Sequence, residues 1–339
     1  MRLIDEINNK FKSISIIGLA KNAGKTVALN YLIDKANQEK ITIGLTSTGR
    51  DGESSDLVTN TEKPTIFVEE GVLVATARHA LLLSDAKVEI LEVTNYNTPM
   101  GEVVISKVKH SGNIQIAGPA NTKEIKEVSD ILIKYGAQVV FVDGAIDRKA
   151  SSSPIITDAC IIATGAVLSR DIKKVVEKTA YTIECYQLKE VDKQIKDKIN
   201  EIASTCIISN TGKIIKLNVK TGITAGKMIT ENIDKNTTCV YVKGAITSLL
   251  IKELCQSEFI KGFKLVIDDA TKIFIDNHHW NEAKKRGLKV ETINAIKVVA
   301  LTLNPVSPEG YCFDSAEFSE KMKYYIKNTN IIDVVSGGE

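Results

Sequence analysis

Ser13-Ile-Ser-Ile-Ile-Gly-Leu-Ala-Lys-Asn-Ala-Gly-Lys-Thr26 decides how this chain is read. A short β-branched run ends at Gly18, a turn of small and polar residues follows, and an amphipathic stretch runs from Lys25 to Asn37. Strand, glycine-containing turn and helix in that order, closing on Gly-Lys-Thr, form the pattern of a phosphate-binding P-loop. Successive backbone N–H groups curl around phosphate oxygens, and the helix adds the positive end of its dipole. The expected nucleotide ligands are Gly18, Lys21, Asn22, Ala23, Gly24, Lys25 and Thr26. Lys25 reaches the β- and γ-phosphates and serves catalysis, and the Thr26 hydroxyl ligates Mg²⁺. Gly24 stands where a side chain would collide with phosphate. Lys21 is a candidate second cation. The loop departs from the usual spacing, because Gly18 lies six positions before Gly24 and Leu19 takes the expected glycine position.

Outward from this stretch, β-branched runs alternate with helical ones, the signature of an α/β fold with a mostly parallel sheet. Ile41 to Leu45 reads as the second strand. Val139-Val-Phe-Val-Asp-Gly144 is an apolar strand ending in a carboxylate, which places Asp143 on the edge where parallel strands deliver their ligands and makes it a candidate for Mg²⁺. Between the two strands, Thr46-Ser-Thr-Gly-Arg-Asp-Gly-Glu-Ser-Ser-Asp56 gathers charge among glycines and hydroxyls. Asp51, with Glu53 as its equal, is expected to orient water or metal at the γ-phosphate, and Arg50 to meet phosphate. Segment 60–118 reads as a strand-rich insertion. Residues 1–188 are then expected to form the nucleotide domain, closed by a strand from Thr182 to Leu188, and 189–339 a second α/β region that binds a partner.

Weaker signals surround this core. Ala117-Gly-Pro-Ala-Asn121 is either a tight strand–helix connection or an anion cradle, and Asp147, Arg148 and Ser151 to Pro154 follow the carboxylate strand. Asn304-Pro-Val-Ser-Pro-Glu-Gly-Tyr-Cys-Phe-Asp314 reads as a partner or lid loop. His278-His-Trp280 reads as surface or packing, since neighbouring side chains diverge on a helix.

Composition narrows the classes. Of 339 residues 43% are hydrophobic and 25% charged, so a folded chain with more than one core is expected. A formal net charge of +2 without a basic, aromatic-laced run disfavours a nucleic-acid partner. Six scattered cysteines with no CxxC pair read as reduced, mostly buried thiols. The start shows no signal peptide and no run suits a membrane span, so a cytoplasmic protein is expected. Self-association into a homo-oligomer stays open.

Several stretches together resemble the smaller P-loop subunit of the lysine 5,6-aminomutase reactivase: 18–26, Ser47 to Glu53, Asn97-Thr-Pro-Met-Gly-Glu102, Ala117-Gly-Pro, Val142-Asp-Gly-Ala145 and Leu303 to Tyr311. The resemblance implies an ATP- and Mg²⁺-dependent ATPase that works with a larger subunit resembling the ATPase region of the mismatch-repair protein MutS. Its implied task is to loosen the adenosylcobalamin-dependent lysine 5,6-aminomutase so that damaged cobalamin is exchanged. The P-loop and Val142-Asp-Gly-Ala145 also resemble dethiobiotin synthetases, which carry a P-loop one residue longer. A small-molecule ATP-dependent ligase or kinase is therefore the alternative, and a nucleotide-responsive scaffold without turnover is a third reading.

Overall fold

The computed structural model describes residues 3–49, 66–144, 152–219 and 225–335. It is a mixed α/β structure in two compact units, one of Met1–Ala180 with Lys297–Glu339, the other of Tyr181–Ile296.

The first unit opens with α1 (Leu3–Lys10), β1 (Ser13–Gly18), α2 (Lys25–Gln38) and β2 (Ile43–Ser47). Segment 66–114 supplies β3 (Ile66–Val68), β4 (Leu73–Ala77), α3 (Arg78–Leu82), β5 (Lys87–Thr98), β6 (Gly101–His110) and β7 (Gly112–Ile114). Next come α4 (Thr122–Lys134), β8 (Val139–Asp143), β9 (Ala159–Gly165) and α5 (Ile172–Tyr186).

The second unit contains α6 (Lys193–Ile202), β10 (Cys206–Ser209), β11 (Ile214–Lys216), α7 (Ala225–Asn232), β12 (Thr237–Val242), β13 (Ile246–Thr247) and α8 (Ser248–Cys255). It ends with β14 (Lys264–Ile267), β15 (Ile273–Phe274), α9 (Asn277–Lys285) and β16 (Lys289–Thr292). Its five-stranded sheet has the order β11-β10-β12-β14-β16, with β12, β14 and β16 parallel. The chain then returns to the first unit as β17 (Val298–Asn304), α10 (Ser315–Tyr325) and β18 (Asn330–Asp333).

The first unit is built on a nine-stranded sheet, order β18-β17-β9-β1-β8-β2-β4-β6-β5. From β18 to β4 every neighbour is parallel, and β6 and β5 follow antiparallel. Central strands are buried along nearly their whole length, as β1 and β8 show, which is what helix-covered parallel strands require. In α2 the buried Ala28, Leu29, Leu32, Ile33 and Ala36 form a single stripe that packs with Ile14, Ile16 and Leu45 of the sheet. On α4 the buried Ile125, Val128 and Leu132 do the same beside Val140 and Val142. Every strand from β18 to β4 therefore ends on one edge, and that edge collects the segments after β1, β2, β8, β9 and β17.

Three boundaries differ from the sequence reading. The strand-rich segment extends the main sheet, because β4 is buried throughout and pairs with β2, while β3 and β7 form their own antiparallel ladder. The expected closing strand at Thr182–Leu188 is instead the end of α5, whose buried Val175, Thr179 and Ile183 repeat every four residues. The division at 188/189 is also displaced: the change of unit falls at 180/181, and 297–339 rejoins the first sheet through β17 on β9 and β18 on β17. Among the described residues no helix is long and apolar enough to cross a membrane.

Candidate functional site

The loop between β1 and α2 is shaped by its own residues. Leu19 N–H donates to the Ala163 carbonyl of β9 at 3.0 Å, which ties the start of the loop to the neighbouring strand. Asn22 lies at φ 60° and Gly24 at φ 100°, two left-handed residues that turn the chain into α2. Gly24 occupies the N-cap of that helix and supplies no side-chain acceptor. Elsewhere Asn121, Asp192, Thr247, Asp276 and Asp314 each cap a helix through a side-chain oxygen. The start of α2 thus carries no side-chain cap, and an uncapped helix start is the kind of place that receives an anion.

Lys25 folds back over this loop, and its Nζ donates to the Gly144 carbonyl at 2.7 Å. Gly144 is fixed in turn, its N–H donating to the Ile16 carbonyl at 3.0 Å. Register sets Asp143 level with Ile16 of β1 and Ser47 of β2, one residue before the carbonyl that holds Lys25. Asp143 is buried, 7% exposed, and its carbonyl accepts from Thr48 N–H at 2.9 Å. Lys25, the half-buried Thr26 and Asp143 are thus delivered to one sheet edge by β1, α2 and β8. Lys21 is exposed on the loop, with Asn22 half-buried and Ala23 buried.

Two glycines have steric reasons that spacing alone does not reveal. A Cβ at Gly18 would sit 2.9 Å from Cγ of Lys25, so this glycine makes room for the lysine stem despite its unusual register. A Cβ at Gly24 would sit 2.8 Å from Cβ of Asn304, the last residue of β17. Asn304 is therefore a site neighbour that the sequence reading placed only in a lid or partner loop. Its Oδ1 accepts from Val306 N–H at 3.1 Å, and the loop behind it closes through Tyr311 OH, which donates to the Ala166 carbonyl at 2.6 Å. Arg170 stacks on the Tyr311 ring at 5.1 Å and pairs with Glu309 at 3.4 Å. The available signal was a polar residue ending an apolar strand, the same cue that marked Asp143.

Other expected residues fall elsewhere. The Ala117–Pro119 turn is a tight connection: Ala117 N–H donates to Thr76 Oγ1 at 2.8 Å and Gly118 N–H to Ser47 Oγ at 2.9 Å. A Cβ at Gly118 would lie 2.0 Å from the Ser47 carbonyl oxygen, so backbone proximity explains this glycine and Asn121 is the cap of α4. Arg50, Asp51 and Glu53 lie outside the described residues, as do Asp147, Arg148 and Ser151. Ser152 and Ser153 are buried. Comparison with protein-family models, with curated proteins and with solved structures finds no match for this chain.

Proposed function

We propose that the chain binds ATP at the 18–26 loop and hydrolyses it with Mg²⁺. The observation that carries this reading is the placement of Lys25, whose ammonium is folded onto the Gly144 carbonyl beside the strand-end Asp143, at the foot of a helix that opens on a left-handed glycine without a side-chain cap. On binding, Lys25 exchanges one carbonyl for phosphate oxygens, and the α2 N-terminus supplies further donors. Thr26 and Asp143 offer the hard oxygen ligands that Mg²⁺ prefers and would hold it, and the ion would neutralise charge on the phosphates. Asp51 or Glu53 is proposed to orient the attacking water.

ATP and a protein substrate are favoured by the resemblance to the smaller lysine 5,6-aminomutase reactivase subunit. On this reading the chain works with a larger MutS-like subunit and uses hydrolysis to release damaged cobalamin from the aminomutase. The test is Mg²⁺-dependent ATP hydrolysis by the chain alone, then with inactivated aminomutase and the larger subunit. Slow basal turnover, stimulation by both and recovered mutase activity are expected; turnover indifferent to both removes the reactivase reading. Lys25→Ala should weaken nucleotide binding roughly ten- to hundredfold, from loss of a charged contact of about 1.5–3 kcal/mol. Unchanged affinity and turnover in that variant would refute the site itself. The longer loop and Val142-Asp-Gly-Ala145 favour a dethiobiotin-synthetase-like ligase or kinase as a second reading. That reading predicts phosphate release that depends on one added carboxylate or amine.

A further inference from the structure

We infer that Asp276, His278 and His279 form a binding site for a divalent transition-metal ion in the second unit, with Zn²⁺ as the fitting occupant. Asp276 is the N-cap of α9, and its carboxylate is held from several directions. Oδ1 accepts from His279 N–H at 2.9 Å, Oδ2 accepts from Ser248 Oγ at 2.7 Å, and Oδ2 also meets Nδ1 of His279. The His278 and His279 rings would diverge on a regular helix face, yet at this helix start their centroids are 5.3 Å apart. One donor atom from each of the three side chains lies within 4.8 Å of the others. Zinc bonds to nitrogen and oxygen run at about 2.0–2.2 Å, which sets donors about 3.3–3.5 Å apart in a tetrahedron. Movement of about 1–1.5 Å by the exposed His278 brings its donor to that spacing, while Asp276 and His279, now in hydrogen-bond contact, would part to ligand spacing as the metal replaces the proton between them.

The donor set selects the ion. Two imidazoles and a carboxylate suit Zn²⁺, Co²⁺ or Ni²⁺ and serve Mg²⁺ or Ca²⁺ poorly, because those ions prefer oxygen throughout. The positive end of α9 opposes a cation, and the Asp276 carboxylate offsets it. Ser248 performs the orienting task that outer hydrogen bonds perform for ligating carboxylates. Three protein ligands leave a position for water or an added donor, so an exchangeable ion is expected. None of these residues belongs to the Lys25 site, and the inference stands whether or not the chain hydrolyses ATP.

The experiment is a calorimetric titration of Zn²⁺ into the metal-free full-length chain, with excess Mg²⁺ and no nucleotide. One saturable site of micromolar affinity is expected. Co²⁺ in its place should give visible d–d bands without the sulfur charge-transfer that an exposed thiol such as Cys312 would add. His278→Ala is the decisive variant, because this side chain takes no part in the helix cap, and its affinity should fall at least tenfold. Asp276→Asn should behave likewise. The chain has four histidines, and the double variant His79→Ala/His110→Ala, like Cys312→Ser, should bind as the parent does. No saturable site, undiminished binding in His278→Ala, or binding lost with Cys312 would overturn the inference.

Discussion

Gly24 has two separate reasons to lack a side chain, and they can be separated by experiment. Its φ of 100° costs an L-residue about 1–2 kcal/mol, and a Cβ would press on Asn304 at 2.8 Å. Gly136 has almost the same φ, 106°, with nothing within 4 Å of its Cβ position. Gly136→Ala should therefore lose about 1–2 kcal/mol in urea unfolding and keep full nucleotide affinity. Gly24→Ala should lose more than that and bind nucleotide at least tenfold more weakly, because Asn304 and the loop must both shift. Equal stability losses with equal affinities would show that the contact with Asn304 is without consequence. Gly24 was legible in the sequence, since a Gly-Lys-Thr after a strand has few other uses. Asn304 was not, because its position against Gly24 depends on which strand lies beyond β9, and no local pattern encodes that.

Elements carry a different kind of information. Asn121 ends an irregular stretch and its side chain accepts from Lys123 N–H at 3.0 Å, so Asn121→Ala should cost about 1 kcal/mol by thermal or urea unfolding. Removing this cap should leave nucleotide affinity unchanged, which separates helix capping from the role proposed for the uncapped start of α2. The antiparallel ladder of β10 and β12 sets a pH limit. Burial raises the Cys206 thiol from 9.0 to about 11, against a small opposing effect of Lys216, and raises the Cys239 thiol to about 12. Above pH 9 the unfolded chain releases these protons while the folded chain retains them, so the stabilising contribution is complete below pH 9 and is lost as pH rises towards 11 to 12. Urea unfolding at pH 8 and pH 10.5 should show lower stability at the higher pH, and Cys206→Val/Cys239→Val should shrink that difference. An identical pH difference in the double variant would assign the loss to other groups. The same elements show where pattern reading fails: Tyr181-Thr-Ile-Glu-Cys-Tyr186 is rich in strand-preferring residues, yet the four-residue spacing of Val175, Thr179 and Ile183 makes it the end of α5. Burial of one helical face overrode local preference.

At the scale of the whole molecule, the site depends on a strand that arrives last. Asn304 and the folded 305–313 loop reach the edge that carries Gly24 only because β17 pairs with β9 after the chain has built an entire second unit. Chain order puts the apolar run Lys297-Val-Val-Ala-Leu301 in the second α/β region, but it pairs with β9 of the first sheet; Val-Val-Ala-Leu fits any buried parallel strand, so the run itself does not choose its sheet. Chain order suggested a first domain that ends at 188; pairing carries the first unit's sheet on to β18. A fragment of 1–188 would present β9, buried along its whole length, as an open edge stripped of β17 and β18. Such an apolar edge is a template for association, so this fragment should aggregate or show only a broad, uncooperative transition. By contrast, 181–296 is a continuous segment with its own five-stranded sheet and should fold alone, with one cooperative urea transition by circular dichroism. Joining 180 to 297 by a short flexible linker should restore a folded first unit, and with it the Lys25 site and its nucleotide affinity. If 1–188 alone folds cooperatively and binds nucleotide as the full chain does, β17 and Asn304 are dispensable and the site is the loop alone. If only the joined form binds, the last strand completes the site that the first strand begins.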